Sequence, residues 1–420
     1  MPFLFSTALS GLQASSDALN VTGNNIANAN TTAFKSQSAS FADVFNNSLG
    51  VRLNGADQSV QIGSGVVLTG TDTNFTQGSL STSGSPTNAA IQGNGFFVVQ
   101  DATNGLSYTR AGDFTLDHSG YLVTPTGQNV QGYAAVNGQI PPGSPLTAIK
   151  LPIGEAMPPV ATTQATLRLN LDSTAAANSQ FHAPVQVYDS KGVAHTLDMT
   201  FTQQANGSYL MSAMLDGNAA QANGSANPVA FTFDANGQLT APATLSITPN
   251  QAQLNGASLP SININLFQTN PDGTQGPSNL TNYASASTVS STDQDGFAPG
   301  TLTGLSISSD SNSNGTILGT FTNGQTRKLG QMAVALFNSP AGLRQLGGNL
   351  YGQTVGSGQP SIGVAGTGGR GQVVGGELEQ SNVDITSELT NLIVSQRSFQ
   401  ANSRVITSID QILQDIIQNV

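Results

Sequence analysis

The sequence contains no cysteine and no tryptophan among its 420 residues. Without cysteine the chain can form no disulfide, no thiolate nucleophile and no cysteine-ligated zinc site. Charged residues are also scarce, at 8% of the chain, with 12 Lys and Arg against 23 Asp and Glu. The net charge of −11 argues against nucleic acid or an anionic membrane as a partner. No apolar run approaches the length that spans a bilayer, so we expect no membrane insertion.

The composition instead favours a protein that works outside the cell. Gly, Ser, Thr, Asn and Gln take the place of charge, which is typical of extracellular β-rich proteins with many turns. The opening residues, MPFLFSTALSGLQASSD, lack the basic stretch, the continuous apolar core and the cleavage site of a conventional signal peptide. We therefore predict export by another route.

The most regular pattern in the chain is a seven-residue repeat of apolar residues over 381–420. This spacing predicts a long amphipathic helix with a coiled-coil-like seam. Ser381 and Asp384 resemble a capping box, so the helix is expected to begin there. The repeat, with one residue that widens it, consists of Ile385, Leu389, Leu392, Phe399, Ile406, Leu413 and Val420.

The N-terminal stretch, 1–28, has the same seven-residue spacing and predicts a second helix, which ends near Asn28 in an Asn-rich turn. We expect the two helices to meet. They could form a helical hairpin within one chain, or they could pack against copies of the chain, which we favour because each apolar face is wider than one partner can cover. The N-terminal members of this predicted assembly interface are Phe5, Leu9, Leu12, Leu19 and Ile26.

Between the helices the pattern changes to short alternating strands separated by Asn-Gly and Asp-Gly turns. The predicted fold class is mixed α and β, in which the terminal helices form a coiled-coil-like assembly domain and carry two mainly antiparallel β-domains, the second inserted in the first. The predicted segments are terminal helices at 1–28 and 381–420, connecting segments at 29–70 and 363–380, a first β-domain at 71–150 and 290–362, and an inserted outer β-domain at 151–289.

Two motifs could be taken for ligand sites. Gly366, Gly368 and Gly371 fit a dinucleotide fingerprint, but no helix follows directly, so we interpret these glycines as a flexible connection. The Asp-x-x-Gly sequences that begin at Asp189 and Asp234 lack the later oxygen ligands of a calcium loop, and we predict hairpin turns there.

The three histidines, His118, His182 and His195, show no metal-ligand spacing and are expected at the surface or in turns. No serine lies in a nucleophile elbow. We therefore predict no catalytic residue, no cofactor and no metal.

Both ends of the chain resemble the bacterial flagellar rod and hook axial protein family. The N-terminal match is SGLQASSDALNVTGNNIANANTTAFKSQSASFAD, and the C-terminal match is GGELEQSNVDITSELTNLIVSQRSFQANSRVITSIDQIL. QGNGFFVV and YTRAGDFTLDHSGYLVT resemble the first β-domain of the family, whereas 151–289 is the part with least resemblance. An inserted domain of this size points to the hook members rather than to the shorter distal rod protein.

The resemblance implies a structural subunit that polymerises into a short, curved, flexible tube, a universal joint that transmits torque from the rod to the filament. It also implies export through the flagellar type III secretion apparatus to an extracellular position in the hook. The implied partners are many copies of the same chain, the rod, the hook cap and the hook–filament junction proteins.

Two other classes of function stay open on the residues alone. A secreted adhesin or lectin could use the β-domains, which glycan binding by the isolated fragment 151–289 would reveal. A glycan-active enzyme could use paired carboxylates such as Asp189 and Asp198, although their distance cannot be read from sequence spacing.

Overall fold

A computed structural model describes residues 2–53, 56–101, 105–225, 228–272, 274–310 and 314–418. In this part of the chain, α1 (Pro2–Ala27) lies at one end and α2 (Ile385–Gln418) at the other, with β-strands between them. Neither described helix is both long and apolar enough to cross a membrane. The predicted mixed fold with terminal helices is confirmed.

The strands are short except for the first two. The strands that follow α1 are β1 (Gln37–Leu53), β2 (Ala56–Thr73), β3 (Leu80–Thr82), β4 (Ala89–Gln92), β5 (Phe96–Asp101), β6 (Gly105–Thr109), β7 (Thr115–Leu116), β8 (Leu122–Val123), β9 (Asn129–Ala134) and β10 (Thr147–Ala148). The middle strands are β11 (Ala156–Met157), β12 (Gln164–Asp172), β13 (Gln180–Tyr188), β14 (Ala194–Gln203), β15 (Tyr209–Leu215), β16 (Asn218–Ala222), β17 (Val229–Phe233), β18 (Leu239–Ala241), β19 (Leu245–Thr248), β20 (Ile262–Asn265), β21 (Phe267–Thr269), β22 (Gln275–Ser278), β23 (Leu280–Tyr283) and β24 (Thr288–Gln294). The strands before α2 are β25 (Gly300–Ile307), β26 (Thr316–Phe321), β27 (Thr326–Leu336), β28 (Arg344–Gly347), β29 (Leu350–Gly352), β30 (Ser361–Val364), β31 (Gln372–Gly375) and β32 (Glu377–Glu379).

The chain divides into two compact units. Unit 1 comprises Met1–Ile153, Gly304–Thr320 and Thr326–Val420, and unit 2 comprises Gly154–Thr303 and Phe321–Gln325. Unit 2 therefore interrupts the chain of unit 1, as the predicted nesting requires. The predicted limit at 289 falls inside β24, which pairs along β12 and so belongs with unit 2.

The β-part of unit 1 is organised around β5 and β27, which pair antiparallel with each other. Alternate residues of β5 enter two separate cores, because successive strand residues point to opposite faces of a sheet. Phe97 and Val99 pack in one core, and Phe96 and Val98 pack in the other. Apolar layers on both faces fix β5 and β27 in place, which makes this sheet a firm base for the segments that lead to the helices.

Unit 2 has a single core lined by alternate residues of its strands. In β12, Ala165, Leu167, Leu169 and Leu171 are buried while the residues between them are at least partly exposed. The sheet is mainly antiparallel, as predicted, but β12 runs parallel to β20 and β23. These parallel pairs are possible because long connections join β12 to its partners.

The start of α2 differs from the prediction, because the helix begins at Ile385 rather than at Ser381. Asp384 is the actual capping residue, since its Oδ1 accepts hydrogen bonds from the backbone N–H groups of Thr386 and Ser387 at 2.9 and 3.3 Å. Asn382 is held away from the helix by a bond from the Ser36 N–H to its Oδ1 at 2.7 Å. The predicted capping box at Ser381 is therefore wrong by three residues.

The predicted connecting segment 29–70 mostly forms a long antiparallel hairpin, β1–β2. The pairing begins at Gln37 opposite Thr73 and ends at Leu53 opposite Ala56, with irregular register at three places. The sequence predicted only a connecting segment at 29–70, although the dipeptide Asn54-Gly55 is a strong hairpin signal. Its Ser- and Asn-rich composition hid the strand pattern.

Candidate assembly surface of the terminal helices

The two terminal helices pair antiparallel within the chain. The side chain of Asn25, near the end of α1, donates from Nδ2 to Oε1 of Glu388, at the start of α2, over 3.1 Å. Gly11 lies beside the side chain of Asn402, two turns or more into each helix. The prediction that the termini meet is confirmed, and this pairing is the intramolecular hairpin that the sequence left open.

The fully buried positions of α1 are small or polar. Ala8, Ser15 and Thr22 are buried at a spacing of seven residues, with exposed fractions of 6, 9 and 7%. Gly11 lets α2 come close, because a Cβ on this residue would lie 2.9 Å from Nδ2 of Asn402. Close approach over small side chains encloses little apolar surface, so the pair leaves its large side chains partly outside.

The large apolar residues of the predicted interface are therefore incompletely covered. Among the described side chains of α2, none is fully buried. Val420 lies outside the described residues. The half-buried members are Leu12, Leu19, Ile26, Leu392, Phe399, Ile406 and Leu413. The exposed members are Phe5, Leu9, Ile385 and Leu389, with 41 to 49% of their surface accessible.

Helix α2 carries a further exposed apolar stripe that the sequence analysis did not predict. Val394, Val405 and Ile412 are 58, 47 and 53% exposed, and they lie on one flank of the helix because their spacings of 11 and 7 residues approach whole turns. We call these three residues the α2 stripe. Their separation by polar residues hid the pattern, which a count at 3.6 residues per turn rather than seven would have found.

Asn25 joins three elements at the base of the helix pair. Its Oδ1 accepts from the N–H of Gln37 at 2.9 Å, and its Nδ2 donates to the carbonyl of the same residue at 2.7 Å. The amide thus pairs with the first residue of β1 as a neighbouring strand would. Asn25 is only 1% exposed and also binds Glu388, so the end of α1, the start of β1 and the start of α2 meet at one side chain.

Below this junction lies a fully buried charge cluster formed by Lys35, Arg110 and Glu379. Nζ of Lys35 is 2.6 Å from Oε1 of Glu379, and Nη1 of Arg110 is 3.5 Å from Oε2. Lys35 also donates to the carbonyl of Thr76 at 2.7 Å, and the N–H of Gly78 donates to Glu379 at 2.9 Å. Two cations thus share one carboxylate, and every oxygen of that carboxylate has a partner.

Burial sets the electrostatics of the charge cluster. Desolvation lowers the pKa of Lys35 and of Arg110, and the nearby Glu379 carboxylate opposes that shift in both. Burial also raises the pKa of Tyr351, which lies in the adjoining aromatic core, to about 12. Lys35 follows α1 and Glu379 precedes α2, so the cluster ties the roots of both helices to the β-part of unit 1. Both residues lie in the terminal stretches that resemble the family, but no local sequence pattern indicates that they pair.

In unit 2, His195 is neither at the surface nor in a turn, as was predicted, because it lies in β14 and its side chain is only 11% exposed. Its Nδ1 lies 2.6 Å from Oδ2 of Asp216 and its Nε2 lies 3.2 Å from Oδ2 of Asp189. Carboxylates only accept hydrogen bonds, so this geometry suits the imidazolium with two N–H donors. Burial alone would lower the pKa of His195, but the two carboxylates outweigh it and the pKa is raised.

The carboxylates named as a possible catalytic pair are engaged separately. Asp189 Oδ1 accepts from the N–H groups of Lys191 and Val193 at 2.8 and 2.9 Å, which is the predicted hairpin turn. Asp198 instead lies 2.9 Å from Nδ1 of His182, which is exposed. The two carboxylates thus have different partners: Asp189 ends a strand in a turn, and Asp198 lies within β14.

The glycine-rich stretch forms the turn between β30 and β31. The N–H of Gly366 donates to the carbonyl of Gly371 at 2.9 Å, and Arg370 crosses the turn to the carbonyl of Ser361 at 3.1 Å. A strand, not a helix, follows the last glycine. The backbone amides are therefore not presented at a helix N-terminus, as dinucleotide binding requires.

Four family models match the chain and together span most of it. The model described as "Flagella basal body rod protein" matches residues 5–35, and "Flagellar hook protein FlgE/F/G D1 domain" matches 90–160. "Flagellar basal body protein FlaE D2 domain" matches 159–297, nearly the range of unit 2, and "Flagellar basal body rod FlgEFG protein C-terminal" matches 374–419. The two terminal models thus cover both helices and Lys35 and Glu379 with them.

Relatives match along almost the whole chain. The flagellar hook protein FlgE of Salmonella typhimurium is 33% identical over 98% of this chain and 99% of its own. That of Treponema pallidum is 32% identical over 99% of each. The crystal structure of Helicobacter pylori flagellar hook protein FlgE2 is 15% identical and covers 70% of this chain and 98% of its own, with a TM-score of 0.50, a likeness of fold.

Proposed function

The chain belongs to the flagellar hook protein family, and we propose that its terminal helices are the surface through which this structural subunit of the bacterial flagellar hook polymerises. The observation that carries the proposal is the incomplete burial of the helix pair. Exposed large apolar side chains line both helices, while the positions closed within the chain are small or polar. Large apolar side chains exposed together on one element are typical of an interaction site.

The contacts between copies are heterologous, which means that one face of a subunit binds a different face of the next. Such contacts generate open helical polymers rather than closed rings when the rotation between subunits does not close. Copies that cover the exposed residues of α1 and α2 would bury them in the wall of a tube. The half-buried column, from Leu392 to Leu413, would be covered completely in the same step.

The buried junctions give this tube its mechanical character. Asn25 and the charge cluster hold both helices at their roots, so a force on the β-part of unit 1 is passed to the helices. A curved tube whose β-domains change their mutual contacts while the helical wall holds would act as a universal joint. We therefore infer that in the hook the helices maintain the tube while the β-domains accommodate its bending.

The subunit belongs to the flagellar hook, and its polymeric assembly follows from the family. We propose further that it is exported through the flagellar type III apparatus to the cell exterior, where it meets the rod, the hook cap and the hook–filament junction proteins. The absence of cysteine supports this route, because folding after export needs no oxidation.

We also propose that the protein has no enzymatic activity. Asp189 binds His195 and the N–H groups of its own turn, whereas Asp198 binds His182, so the two carboxylates are engaged by different partners. A hydrolase screen of the purified protein against glycan substrates checks this proposal. Turnover that survives repurification and disappears in an Asp189→Asn variant would contradict it.

Electron microscopy of the purified full-length protein after concentration tests the polymerisation. We expect tubes with a central channel, and their amount should rise steeply above a threshold concentration. A protein that stays monomeric at every concentration would contradict the proposal. A control kept dilute should show single particles only.

A further inference from the structure

A groove lies at the base of the helix pair, where α1, α2 and β1 diverge. It has a volume of about 210 Å³ and a mixed lining. Ala18, Val21, Ala39, Phe41 and Val394 are apolar, and Thr22, Gln37, Ser38, Glu388, Asn391 and Ser395 are polar. Val394 is 58% exposed and Phe41 is 39% exposed, so two large apolar groups border it. We call it the base groove.

The opposite end of α1 carries a convex apolar feature. Phe5 and Leu9 are one helical turn apart and are 41 and 49% exposed. We call these two residues the knob. The knob and the base groove lie about 20 Å apart along α1, given a rise of about 1.5 Å per residue. They are therefore different surfaces at different ends of one helix pair.

We propose that the knob of one copy seats in the base groove of the next, so that neighbouring copies are staggered along the helix axis by about 20 Å. This inference rests on the proposed polymerisation and specifies its register. The protruding apolar knob fits a concave site that has apolar groups at its border. If neighbouring copies were in register, Phe5 and Leu9 would instead face the part of α2 that is level with them, near Val405.

Charge favours the same occupant. Glu388 lines the base groove, and α1 carries no charged side chain before Asp17, so the arriving segment brings no carboxylate. The N-terminal end of a helix carries a partial positive charge, which favours a nearby carboxylate. The C-terminal end of α2, with Asp410 and Asp415, would instead bring like charges towards Glu388.

The geometry also explains why growth would continue. When a knob fills a groove, the first copy keeps its groove and the second keeps its knob, so another copy can add at either end. A self-complementary pairing of the same patch would stop at a dimer.

The cysteine-free chain allows a direct test by cross-linking. Full-length Leu9→Cys protein is mixed with an equal amount of Val394→Cys protein, polymerised and oxidised, and disulfide-linked dimers are measured on a non-reducing gel. The matched control replaces Val394→Cys with Val405→Cys. Val405 is similarly exposed, at 47%, but it lies on α2 roughly level with Leu9 of the same chain, as the pairing of Gly11 with Asn402 shows.

The staggered register predicts several-fold more dimer from Leu9→Cys with Val394→Cys than from Leu9→Cys with Val405→Cys. The reverse ratio, or equal yields, would overturn the register while tubes still form, which leaves the proposed polymerisation intact. Absence of tubes from the parent protein would instead contradict polymerisation itself. Tubes without cross-linking in either mixture would also overturn the placement of the knob.

Discussion

At the scale of single residues, buried charged groups hold separate elements of the fold together. In unit 1, Glu379 is the one carboxylate that Lys35 and Arg110 share. In unit 2, His195 holds Asp189 and Asp216 together across the sheet. Glu379 and His195 are both buried or nearly buried. Loss of either side chain would leave two groups of the opposite charge without their counter-charge.

We expect Glu379→Gln to destabilise unit 1, because Lys35 and Arg110 would remain buried without a counter-charge. The cost of breaking a buried ion pair in this way is about 3–5 kcal/mol in the free energy of unfolding. Glu377→Gln is the matched control, since it removes a carboxylate two residues earlier in β32 that is only half buried. Chemical denaturation of the full chain measures both. Equal, small losses in the two variants would contradict the fastening role of Glu379.

His195 predicts a pH dependence for unit 2. The folded-state pKa of His195 lies above its unfolded value of about 6.5, so its contribution to stability is complete below that pH and is lost as the pH rises through the folded pKa. The pKa values of Asp189 and Asp216 are lowered, because hydrogen bonds outweigh burial, so their contribution is lost on acidification below about 4.

Hydrogen exchange of the β14 and β15 amides in the full chain should therefore slow as the pH falls to about 6, after correction for intrinsic rates. His195→Gln should abolish this dependence. His182→Gln should preserve it, because His182 is exposed and its single carboxylate partner is partly solvated. An unchanged profile in His195→Gln would show that another group titrates there.

At the scale of elements, the terminal helices could be predicted from their apolar repeat, but the way they pack could not. A seven-residue column predicts a seam, and large residues such as Leu12 and Phe399 were placed in it. The structure instead brings Gly11 against Asn402, with buried Ala8 and Ser15 on the same helix. Periodicity gives the face of a helix but not the distance at which its partner packs.

Gly11→Leu should push the two helices apart, because even a Cβ at this position meets the Asn402 side chain at 2.9 Å. We expect weaker polymerisation and faster hydrogen exchange in both helices. A methyl group added at Gly23, in the same helix, would meet no neighbour within 4 Å, so Gly23→Ala should be tolerated and should gain up to about 1 kcal/mol of helix stability. Normal tubes from Gly11→Leu would show that close approach is unnecessary.

The hairpin β1–β2 shows where sequence reasoning stops at this scale. Its strands contain many Ser, Asn and Asp residues, and Asn and Asp are poor strand formers. The hairpin is fixed instead by contacts from outside, such as Asn25 with Gln37 and Ser10 Oγ with the N–H of Val66 at 3.2 Å. Tertiary contacts of this kind leave no local pattern to read.

At the scale of the whole molecule, the nested order of helix, β-domain, inserted domain and return was predictable, because the two terminal helices are expected to meet. The end of the insert was not. Strand β24 contains the predicted limit at 289, yet it pairs along β12 from Asn170 back to Ala165. Long-range pairing decided that boundary, and composition could not show it.

We expect the fragment 154–303 to unfold cooperatively on heating and to be more stable than 151–289, which lacks most of β24. Replacing this unit by a short linker in the full chain should leave polymerisation possible but alter the curvature of the tubes, because the terminal helices lie outside it. Circular dichroism measures the unfolding of the two fragments, and electron microscopy shows the tubes that the deletion variant forms. An unfolded 154–303 fragment, or loss of all tubes on deletion, would contradict the independence of the unit.

The measurement that tests the central claim most directly is polymerisation of Val405→Asp. Ile406, in the predicted column, is half buried against the chain itself, so a charge there would disturb the monomer as well. Val405 is 47% exposed, so Val405→Asp should leave a folded monomer with normal circular dichroism. Thr407→Asp adds the same charge at an exposed polar position on the opposite flank of α2.

Both variants are concentrated beside the parent and examined by sedimentation and electron microscopy. A carboxylate buried without a partner in an apolar contact is strongly unfavourable, and the cost is repeated at every subunit of a polymer. We predict that Val405→Asp stays monomeric at concentrations where the parent and Thr407→Asp form tubes. Normal tubes from Val405→Asp would contradict the assignment of the exposed helix surface to contacts between copies.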